Sequence, residues 1–425
     1  MKFNDIKKMH QQKLMEAVKS EKPHRLSHLA HLEDTVFDYG FEGVDIAIQF
    51  LDLVRANLEQ GMGVAKKNIT TKWDGSPSII CGIDPMDGQF FVGTKAALSK
   101  EPKLIKSTAD LKKYYGEQPE LAMKLKAAHK YLSKIGMTGI MQGDLMFAKN
   151  DLYSEEIDSK QYVMFKPNTI AYAVEMNSEL GKRIMKAKFG IIFHTVYEGT
   201  SVQTMAASHG PAVSEAIAML HPNLDIWFDD ASFKDLTGIA SLTPEEDNEF
   251  KKDLSSIQRL ASLIGEANFN KVIKHPDISK TIQVFINARV RQGVLVDDSS
   301  KFINDYLKFF EDKMMTGLGD LTGGAESKAA QNRLKKIKDL KEFIIQNINT
   351  FTRVLEIYKT LIEMKLGIIR KLQKIGTVGA FLKMDDGSYR VTTPEGFVCV
   401  GNSGDVIKLV DRLEFSKNNS LAHGH

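Results

Sequence analysis

The spacing of apolar residues changes several times along the chain and predicts where helices and strands alternate. Over residues 1–60, apolar positions recur about every 3.6 residues, as on one face of a helix. From 66 to 204, short runs rich in β-branched and aromatic residues are typical of strands, with a helical stretch at 104–135. From 205 to 375 the spacing is helical again, and from 379 to 410 the strand pattern returns. This order of segments predicts an α+β protein.

We divide the chain accordingly into a strand-rich domain that is interrupted by helices. The predicted parts are an N-terminal helical segment (1–65), the first part of the strand-rich domain (66–204), a helical insert (205–375), the second part of the domain (376–416) and a frayed tail (417–425). Within the predicted insert, only a brief run at 225–228 has strand character.

The composition is that of an ordinary globular protein. The chain has 425 residues, 43% of them apolar and 26% charged, which is enough for a large core and two or three substructures. A net charge of +3 is nearly balanced, so any attraction to nucleic acid must come from local patches. The two cysteines, Cys81 and Cys399, exclude a disulfide framework. Because there is neither an apolar signal core nor a run of membrane length, we expect a soluble cytoplasmic protein.

The run from Ile69 to Ile79, ITTKWDGSPSI, is the most informative stretch of the chain. Two β-branched runs flank an Asp-Gly pair, a pattern that predicts a hairpin with the glycine at a positive φ. Lys72 ends the first run, where a rigid strand can direct its amine into a pocket. An unprotonated lysine can attack an electrophile, although a solvated surface lysine is the commoner case.

Two later strands carry charged residues of the same kind. Asp144 stands alone in the apolar run Gly139–Phe147, and a carboxylate in such a run is either at a strand end or functional, since buried charges need partners. Near the C-terminus, two runs separated by a short turn predict a hairpin that brings Glu395 and Lys408 onto neighbouring strands.

Two other features are each open to two interpretations. His24, His28 and His31 share one face of a predicted helix, where they could bind a metal or a phosphate, or form a polar stripe. The helical stretch 328–374 contains twelve Lys/Arg and four Asp/Glu, so it could follow a phosphate backbone or be an ordinary solvated face. The glycine-rich run 317–324 before it has the composition of a flexible joint.

Taken in order, the charged runs resemble the motifs of the covalent nucleotidyltransferase superfamily, which contains ATP-dependent DNA and RNA ligases and mRNA capping enzymes. The corresponding segments are Lys72-Trp-Asp-Gly75, Gln142-Gly-Asp-Leu145, the strand Phe189–Phe193, Glu395-Gly-Phe-Val398 and Asp405-Val-Ile-Lys-Leu-Val410. Lys95 falls where a basic residue commonly follows the first motif. The run Phe165–Ile170 is similar to uncharacterised RNA-ligase-like proteins of tailed phages.

The resemblance implies an ATP-grasp-like ligase domain built on antiparallel sheets, with ATP and Mg²⁺ as cofactors. It implies that Lys72 becomes joined to AMP, that Lys408 stabilises charge on the α-phosphate, and that Glu395 holds Mg²⁺. Asp144 would accept from a ribose hydroxyl, and Phe193 would stack on adenine. The implied nucleotide-binding set is Thr71, Trp73, Asp74, Gly75, Lys95, Asp144, Phe193, Glu395 and Lys408.

Four positions depart from the motifs. Pro77 stands where an arginine often contacts ribose, and the fifth motif has Lys408 without its usual second lysine. Asp144 replaces glutamate, which shortens the reach of the carboxylate. His194 follows Phe193 where the family often has an acidic residue, and we assign it no role.

We therefore expect an ATP-dependent polynucleotide ligase that joins 5′-phosphate and 3′-hydroxyl ends. The short stretch after Lys408 leaves no room for a C-terminal OB-fold, which favours RNA over DNA as the partner. The alternatives are a guanylyltransferase or another adenylyltransferase, and a non-catalytic nucleic-acid-binding protein on the same fold. The purpose of the insert and the oligomeric state stay open.

Overall fold

The structure is a computed structural model of the chain. It describes residues 30–59, 69–157, 159–231, 242–316, 327–373, 379–383, 389–392, 396–401 and 405–423. The predicted joint at 317–324, as well as His24 and His28, lie outside these residues.

The described residues form fifteen strands and thirteen α-helices. The strands are β1 (Ala30–His31), β2 (Ile69–Lys72), β3 (Ser78–Ile83), β4 (Phe90–Gly93), β5 (Ile140–Ala148), β6 (Tyr153–Ile157), β7 (Lys160–Phe165), β8 (Ala171–Glu175), β9 (Phe189–Glu198), β10 (Ala206–Ser208), β11 (Ile226–Asp230), β12 (Gly379–Lys383), β13 (Tyr389–Thr392), β14 (Gly396–Val400) and β15 (Val406–Leu409). The helices are α1 (Thr35–Tyr39), α2 (Phe41–Glu59), α3 (Thr108–Tyr115), α4 (Pro119–Leu132), α5 (Glu179–Lys186), α6 (Pro211–Ala218), α7 (Pro244–Ile264), α8 (Glu266–Ile273), α9 (Pro276–Arg291), α10 (Ser299–Met315), α11 (Lys328–Gln346), α12 (Ile348–Gln373) and α13 (Arg412–His423), and two short 3₁₀ helices lie at Lys95–Leu98 and Lys149–Asp151.

A six-stranded sheet, the central sheet, forms the middle layer of one half of the protein. Its order is β10-β9-β5-β3-β4, with β11 parallel to β9. One face packs on α3, α4 and α6 through a core that includes Leu125 and Phe189. The other face packs on a five-stranded sheet of order β13-β12-β8-β7-β6, through residues such as Phe147 and Phe165. Antiparallel pairing predominates, in agreement with the predicted α+β class.

The remaining strands form a small sheet of order β1-β15-β14-β2 that is attached to a helical body. We use the name helical body for α1, α2 and α7 to α12. Leu51 of α2, Leu355 of α12, Ile69 of β2 and Phe397 of β14 belong to one buried cluster. The small sheet therefore packs one face against helices that are distant from it in sequence, which positions β2 and β15.

The hairpin predicted at Ile69–Ile79 is wrong, because β2 and β3 belong to different sheets. Lys72 pairs with Gly396 in the small sheet, whereas Ser78 pairs with Asp144 in the central sheet. The residues between the two strands cross from one sheet to another. Two separate long-range pairings replace the local pairing that the sequence pattern predicted.

The predicted C-terminal hairpin is confirmed. Strands β14 and β15 are antiparallel, with Val398 opposite Lys408. The preceding strands β12 and β13 also pair with each other, but β12 joins β8 in the five-stranded sheet. The second part of the predicted strand-rich domain is thus divided between two sheets.

The helices after the central sheet begin later than the predicted residue 205. Strands β10 and β11 occupy part of that region and extend the central sheet along β9. The helix α7 starts at Pro244, where Thr243 and Glu246 form a reciprocal capping box. At the other end of the chain, α13 covers most of the predicted tail.

His31 is not on a helix, contrary to prediction. It lies in β1, which runs parallel to β15, and it is opposite Lys408. The next residue continues this contact, since the Leu32 N–H donates to the Lys408 carbonyl at 3.3 Å. Strand pairing with a distant segment overrides the helical spacing of this short stretch.

Candidate functional site

Lys72 is the last residue of β2, at the point where the small sheet meets the central sheet. It lies opposite Gly396 in the small sheet. One residue earlier, the Thr71 N–H donates to the Ala231 carbonyl at 2.7 Å, and the Ala231 N–H donates to the Phe193 carbonyl at 2.9 Å. These bonds hold the end of β2 beside β11 and β9.

The next two residues attach the chain to the five-stranded sheet. The Trp73 ring lies 4.9 Å from the ring of Tyr172, whose hydroxyl oxygen accepts from the Asp74 N–H at 2.7 Å. The buried Asp74 carboxylate accepts from Asn168 Nδ2 at 2.7 Å and from the N–H groups of Thr169 and Ile170 at 2.8 and 2.9 Å. Both oxygens of Asp74 are thus used within the protein. Asp74 thereby anchors the segment to the residues that precede β8.

Gly75 and Ser76 then return the chain to the central sheet. The Ser76 N–H donates to the Leu145 carbonyl at 3.0 Å. A Cβ atom on Gly75 would overlap the Cβ of Asp144 and lie 3.1 Å from the Leu145 carbonyl oxygen. Gly75 does not have the predicted positive φ, since the positive-φ glycines in the described part of the chain are at other positions. A glycine is required here because the backbone passes too close to β5 for a side chain. All three sheets meet at residues 72–76, which we call the junction segment.

Lys408 projects from the same face of the small sheet as Lys72. Across the sheet Lys408 is opposite Val398, which is opposite Thr70, and strand alternation puts Thr70 and Lys72 on one side. The neighbouring Ile407 is in the core of the helical body, on the other face. From ordinary strand spacing and rise, the Cα atoms of the two lysines are roughly 12 Å apart. Two extended lysine side chains can both contact a ligand between them.

The central sheet contributes two carboxylates and an imidazole on the face that meets the junction segment. Asp144 of β5 lies between Ser78 and Ile192, and Asp229 of β11 lies on the other side of Ile192. His194 Nε2 is 3.6 Å from Asp144 Oδ1, and these two side chains are 31% and 20% exposed. Side chains in one row of a sheet share a face. The site is therefore polar and accessible from solvent.

Two of the predicted nucleotide-binding residues, Phe193 and Thr71, point away from the candidate site. Phe193 is fully buried with Phe189 and Ile191 in the core between the central sheet and its helices. In this arrangement it is not available to stack on adenine as predicted. Thr71 lies opposite Phe397, which belongs to the core of the helical body, so alternation directs Thr71 away from Lys72.

Lys95 is at the rim of the site. It is exposed and follows β4, where Gly93 pairs with Ile80, so that it lies two strands, roughly 10 Å, from the strand of Asp144. Glu395, the predicted Mg²⁺ ligand, lies outside the described residues. Among the residues that are described, no three His, Cys, Asp or Glu side chains are grouped closely enough to hold a metal ion.

A network of buried charges fixes β15 to the helical body. Lys365 Nζ donates to both oxygens of Glu33 at 2.7 Å, and both side chains are almost fully buried. Arg412, which follows β15, donates to Asp34 Oδ1 at 2.9 Å and approaches Glu33 Oε1 at 3.4 Å. Burial opposes ionisation of Glu33, but the neighbouring cations, Lys365 foremost, hold its pKa at about 2. The helical body thereby fixes the position of Lys408.

His31 lies beside Lys408 at the edge of this network. Its Nδ1 atom is buried and has no hydrogen-bond partner in the part of the chain that the structure describes. Burial, with the charges of Arg412, Lys365 and Lys408, lowers the pKa of His31 to about 3, against the opposing effect of Glu33. His31 is therefore neutral near pH 7 and adds no positive charge next to Lys408.

A cavity of about 210 Å³ adjoins the junction segment. Its lining residues include Lys124, Lys166, Asp151 and Phe147. Lys124 Nζ also approaches the Ser76 carbonyl oxygen at 3.4 Å. Two amines against one carboxylate make this cavity suitable for an anion.

Ion pairs neutralise part of the positive charge that the sequence predicts for the surface of residues 328–374. The pairs are Lys336–Asp277, Lys338–Glu342, Lys341–Glu311, Lys359–Glu363, Lys365–Glu33 and Lys371–Glu246. Six of the eleven Lys/Arg side chains that the structure describes in this stretch thus have a carboxylate partner. This neutralisation favours the interpretation of an ordinary solvated face over that of a phosphate-binding track.

Sequence reasoning missed three residues of the site and its support. The sequence gives no role to His194, and Asp229 directly follows the short strand-like run 225–228 within the predicted helical insert. The sequence does indicate that Lys365 is buried, because this residue lies at helical spacing between Leu361 and Ile369 on the apolar stripe. A lysine at such a position is buried only with a partner, but its partner Glu33 is far away in sequence.

The comparisons with known proteins give a family without an assigned activity. The model of the DUF6267 family, described as a family of unknown function, matches residues 26–423, so the chain belongs to this family. No curated protein matches the chain, and neither does a solved structure. Throughout the described ranges, none of the helices has the length and apolar character to cross a membrane.

Proposed function

We propose that this member of the DUF6267 family is an ATP-dependent polynucleotide ligase, with RNA as its acceptor, that works through a lysyl-AMP intermediate. The observation that carries the proposal is the position of Lys72 at the junction of three sheets. Lys408 shares its sheet face, and Asp144 lies against the junction segment. This arrangement supports a nucleophile that is held between phosphate-binding cations and a polar nucleotide pocket.

In the first step, the unprotonated Lys72 amine attacks the α-phosphorus of ATP. A phosphorus–nitrogen bond forms, the bond to the bridging oxygen breaks, pyrophosphate leaves with the electron pair, and the nitrogen releases one proton to solvent. Lys408 stabilises negative charge on the α-phosphate, because its amine is on the same sheet face. The anchored junction segment holds Lys72 in line with the phosphate, which reduces the entropy cost of the reaction.

Carboxylates on this face fit the oxygen-ligand preference of Mg²⁺. Asp229 is the described carboxylate of this face that would hold the ion together with ATP phosphates, since Asp144 lies two strands away. When bound, Mg²⁺ would neutralise phosphate charge.

In the later steps, a 5′-phosphate oxygen of the nucleic acid attacks the AMP phosphorus and releases Lys72. A 3′-hydroxyl then attacks the activated 5′-phosphate, AMP leaves, and the hydroxyl proton passes to solvent or a base. The anionic groups of these steps need cations near the junction segment. Lys124 and Lys166, in the adjoining cavity, are suited to hold the 5′-phosphate.

The test uses purified protein, Mg²⁺ and either α-³²P-labelled ATP or GTP. We expect label from ATP to stay on the denatured protein in a gel and to be lost in Lys72→Ala. The control is Lys126→Ala, an exposed lysine on α4, which should keep the label. Label from GTP alone would identify a guanylyltransferase instead. Folded protein that takes no label from either nucleotide would contradict the proposed chemistry.

A further inference from the structure

A chain of hydrogen-bonding side chains starts at the candidate site and continues into the central sheet. His194 Nε2 faces Asp144 Oδ1 at 3.6 Å, and His194 Nδ1 lies 2.8 Å from Thr195 Oγ1. The same hydroxyl is 3.2 Å from His209 Nδ1. Thr195 is almost fully buried, whereas His194 and Asp144 are partly exposed. The Asp144–His194 end lies at the candidate site.

One arrangement of the protons along this chain makes His194 a donor toward Asp144. His209 Nδ1 also lies 3.3 Å from the carbonyl oxygen of His194, which can only accept, so Nδ1 of His209 carries the hydrogen. Thr195 Oγ1 then accepts from His209, and in the arrangement in which it donates its own hydrogen to His194, Nδ1 of His194 is the acceptor. Since Nδ1 of His194 is an acceptor, Nε2 carries the hydrogen of the neutral ring. Burial lowers the pKa of His209, which keeps this ring neutral.

His194 therefore presents an N–H donor next to a carboxylate acceptor. At 3.6 Å the two atoms are too far apart for a good direct hydrogen bond. A hydroxyl oxygen can lie about 2.8 Å from both, accepting from His194 and donating to Asp144. A group that both accepts and donates at one atom fits this pair, and a phosphate oxygen, which brings negative charge to Asp144, does not.

We propose that His194, held in one tautomer by Thr195 and His209, selects the ribose form of the nucleotide by binding a ribose hydroxyl together with Asp144. This inference rests on the proposed nucleotide site. The motif that Asp144 resembles usually has a glutamate at this position. The shorter aspartate side chain suffices here because the His194 imidazole supplies a second contact to the hydroxyl. His194 is thus a specificity-determining residue, and Thr195 and His209 are positioning residues.

The experiment compares ATP, 2′-deoxy-ATP and 3′-deoxy-ATP in the labelling reaction. Wild type should prefer ATP over one of the deoxy forms by about tenfold or more, since a site built for a hydroxyl disfavours a ligand that lacks it. His194→Ala should reduce that preference to about two- to threefold, a change of the order expected for one hydrogen bond. His194→Gln, whose amide can donate, should restore part of the preference. Thr195→Val should weaken it, because the tautomer is no longer fixed.

His221→Ala, an exposed imidazole elsewhere, is the control and should behave as wild type. Equilibrium binding of the same three nucleotides to Lys72→Ala measures selectivity without the chemical step. If wild type is not labelled but Lys72→Ala binds ATP selectively, the ligase proposal fails and this inference stands. If labelling occurs and His194→Ala keeps the full preference, this inference fails and the ligase proposal stands. Absence of any selectivity in both assays would also overturn the inference.

Discussion

At the scale of single residues, Gly75 shows how close packing can dictate a sequence motif. The junction segment crosses Asp144 so tightly that no side chain fits between the two backbones. The tight crossing brings the segment that carries Lys72 against the strand that carries Asp144. Lys72, Gly75 and Asp144 are thus parts of one steric arrangement, even though two different sheets supply them.

We predict that Gly75→Ala lowers nucleotide labelling by about 100-fold, because the added methyl group displaces Asp144 or the junction segment by a fraction of an ångström or more. The free energy of unfolding should fall by about 1–3 kcal/mol, as for other overpacked sites. Gly139→Ala is the matched control, since a Cβ there has no atom within 4 Å. Labelling assays and urea unfolding measure the two effects. Equal labelling of both variants would contradict the steric explanation.

At the scale of elements, the buried network joins three pieces of the chain that are far apart in sequence. Glu33 follows β1, Lys365 lies in the middle of α12, and Arg412 begins α13. The same strand that carries Lys408 leads directly to Arg412. Loss of the network should therefore lower the stability of the protein and also displace Lys408.

We predict that Lys365→Met lowers the free energy of unfolding by about 3–5 kcal/mol, because Glu33 loses the amine that bonds both of its oxygens. The double variant Lys365→Met/Glu33→Leu should recover part of this loss. On the same helix, Lys359 forms an exposed pair with Glu363, and Lys359→Met should cost at most about 1 kcal/mol. Urea unfolding of all three variants checks the expectation. Similar losses for Lys359→Met and Lys365→Met would contradict it.

The low pKa of His31 predicts a pH dependence of stability. Its pKa is about 3 in the folded protein against an ordinary 6.5, so between these values the unfolded chain binds a proton that the native state does not. The contribution of His31 is therefore complete above pH 6.5 and is lost as the pH falls toward 3. The slope is at most about 1.4 kcal/mol per pH unit.

Wild type and His31→Gln should accordingly differ in slope when the free energy of unfolding is measured from about pH 7.5 down to about pH 5, a range that includes the ordinary histidine pKa. The wild-type value should fall more steeply, because the glutamine side chain of the variant does not titrate. Two parallel curves would show that His31 is not buried in its neutral form.

At the scale of the whole molecule, the helices after Pro244 share one buried core with residues from both ends of the chain. Their core is shared with Leu32 and Leu51 of the N-terminal segment and with Phe397 and Ile407 of the small sheet. The site thus depends on a body that is assembled from both ends of the chain and from its middle. A domain boundary drawn from the sequence pattern alone cuts through this core.

We predict that residues 244–373, expressed alone, unfold without a cooperative transition. The apolar faces that α2 and the small sheet cover in the full chain would be exposed, and this loss of buried area removes most of the driving force for packing. Far-UV circular dichroism during urea titration provides the measurement, with the full chain as reference. A sharp sigmoidal transition of the fragment would show that the helices form an independent domain.

Much of the local structure followed from the sequence. The periodicity predicted the strands around Lys72, Asp144 and Phe193 and the helices of the second half, because period and propensity are local properties. The C-terminal hairpin was predictable for the same reason. The pairing of β2 was not, since an Asp-Gly pair between two β-branched runs has the same local pattern whether the runs pair with each other or with distant strands.

The sequence by itself determined the α+β character, the order of the elements and the placement of Lys72 and Lys408 on strands. Only the tertiary structure decided which sheet each strand joined and which face each side chain occupied. It buried Phe193, turned Asp74 into an anchor, and brought His194 to Asp144 and Lys365 to Glu33. These contacts join residues from different elements. Their formation depends on the packing of the whole chain, which no local window of sequence contains.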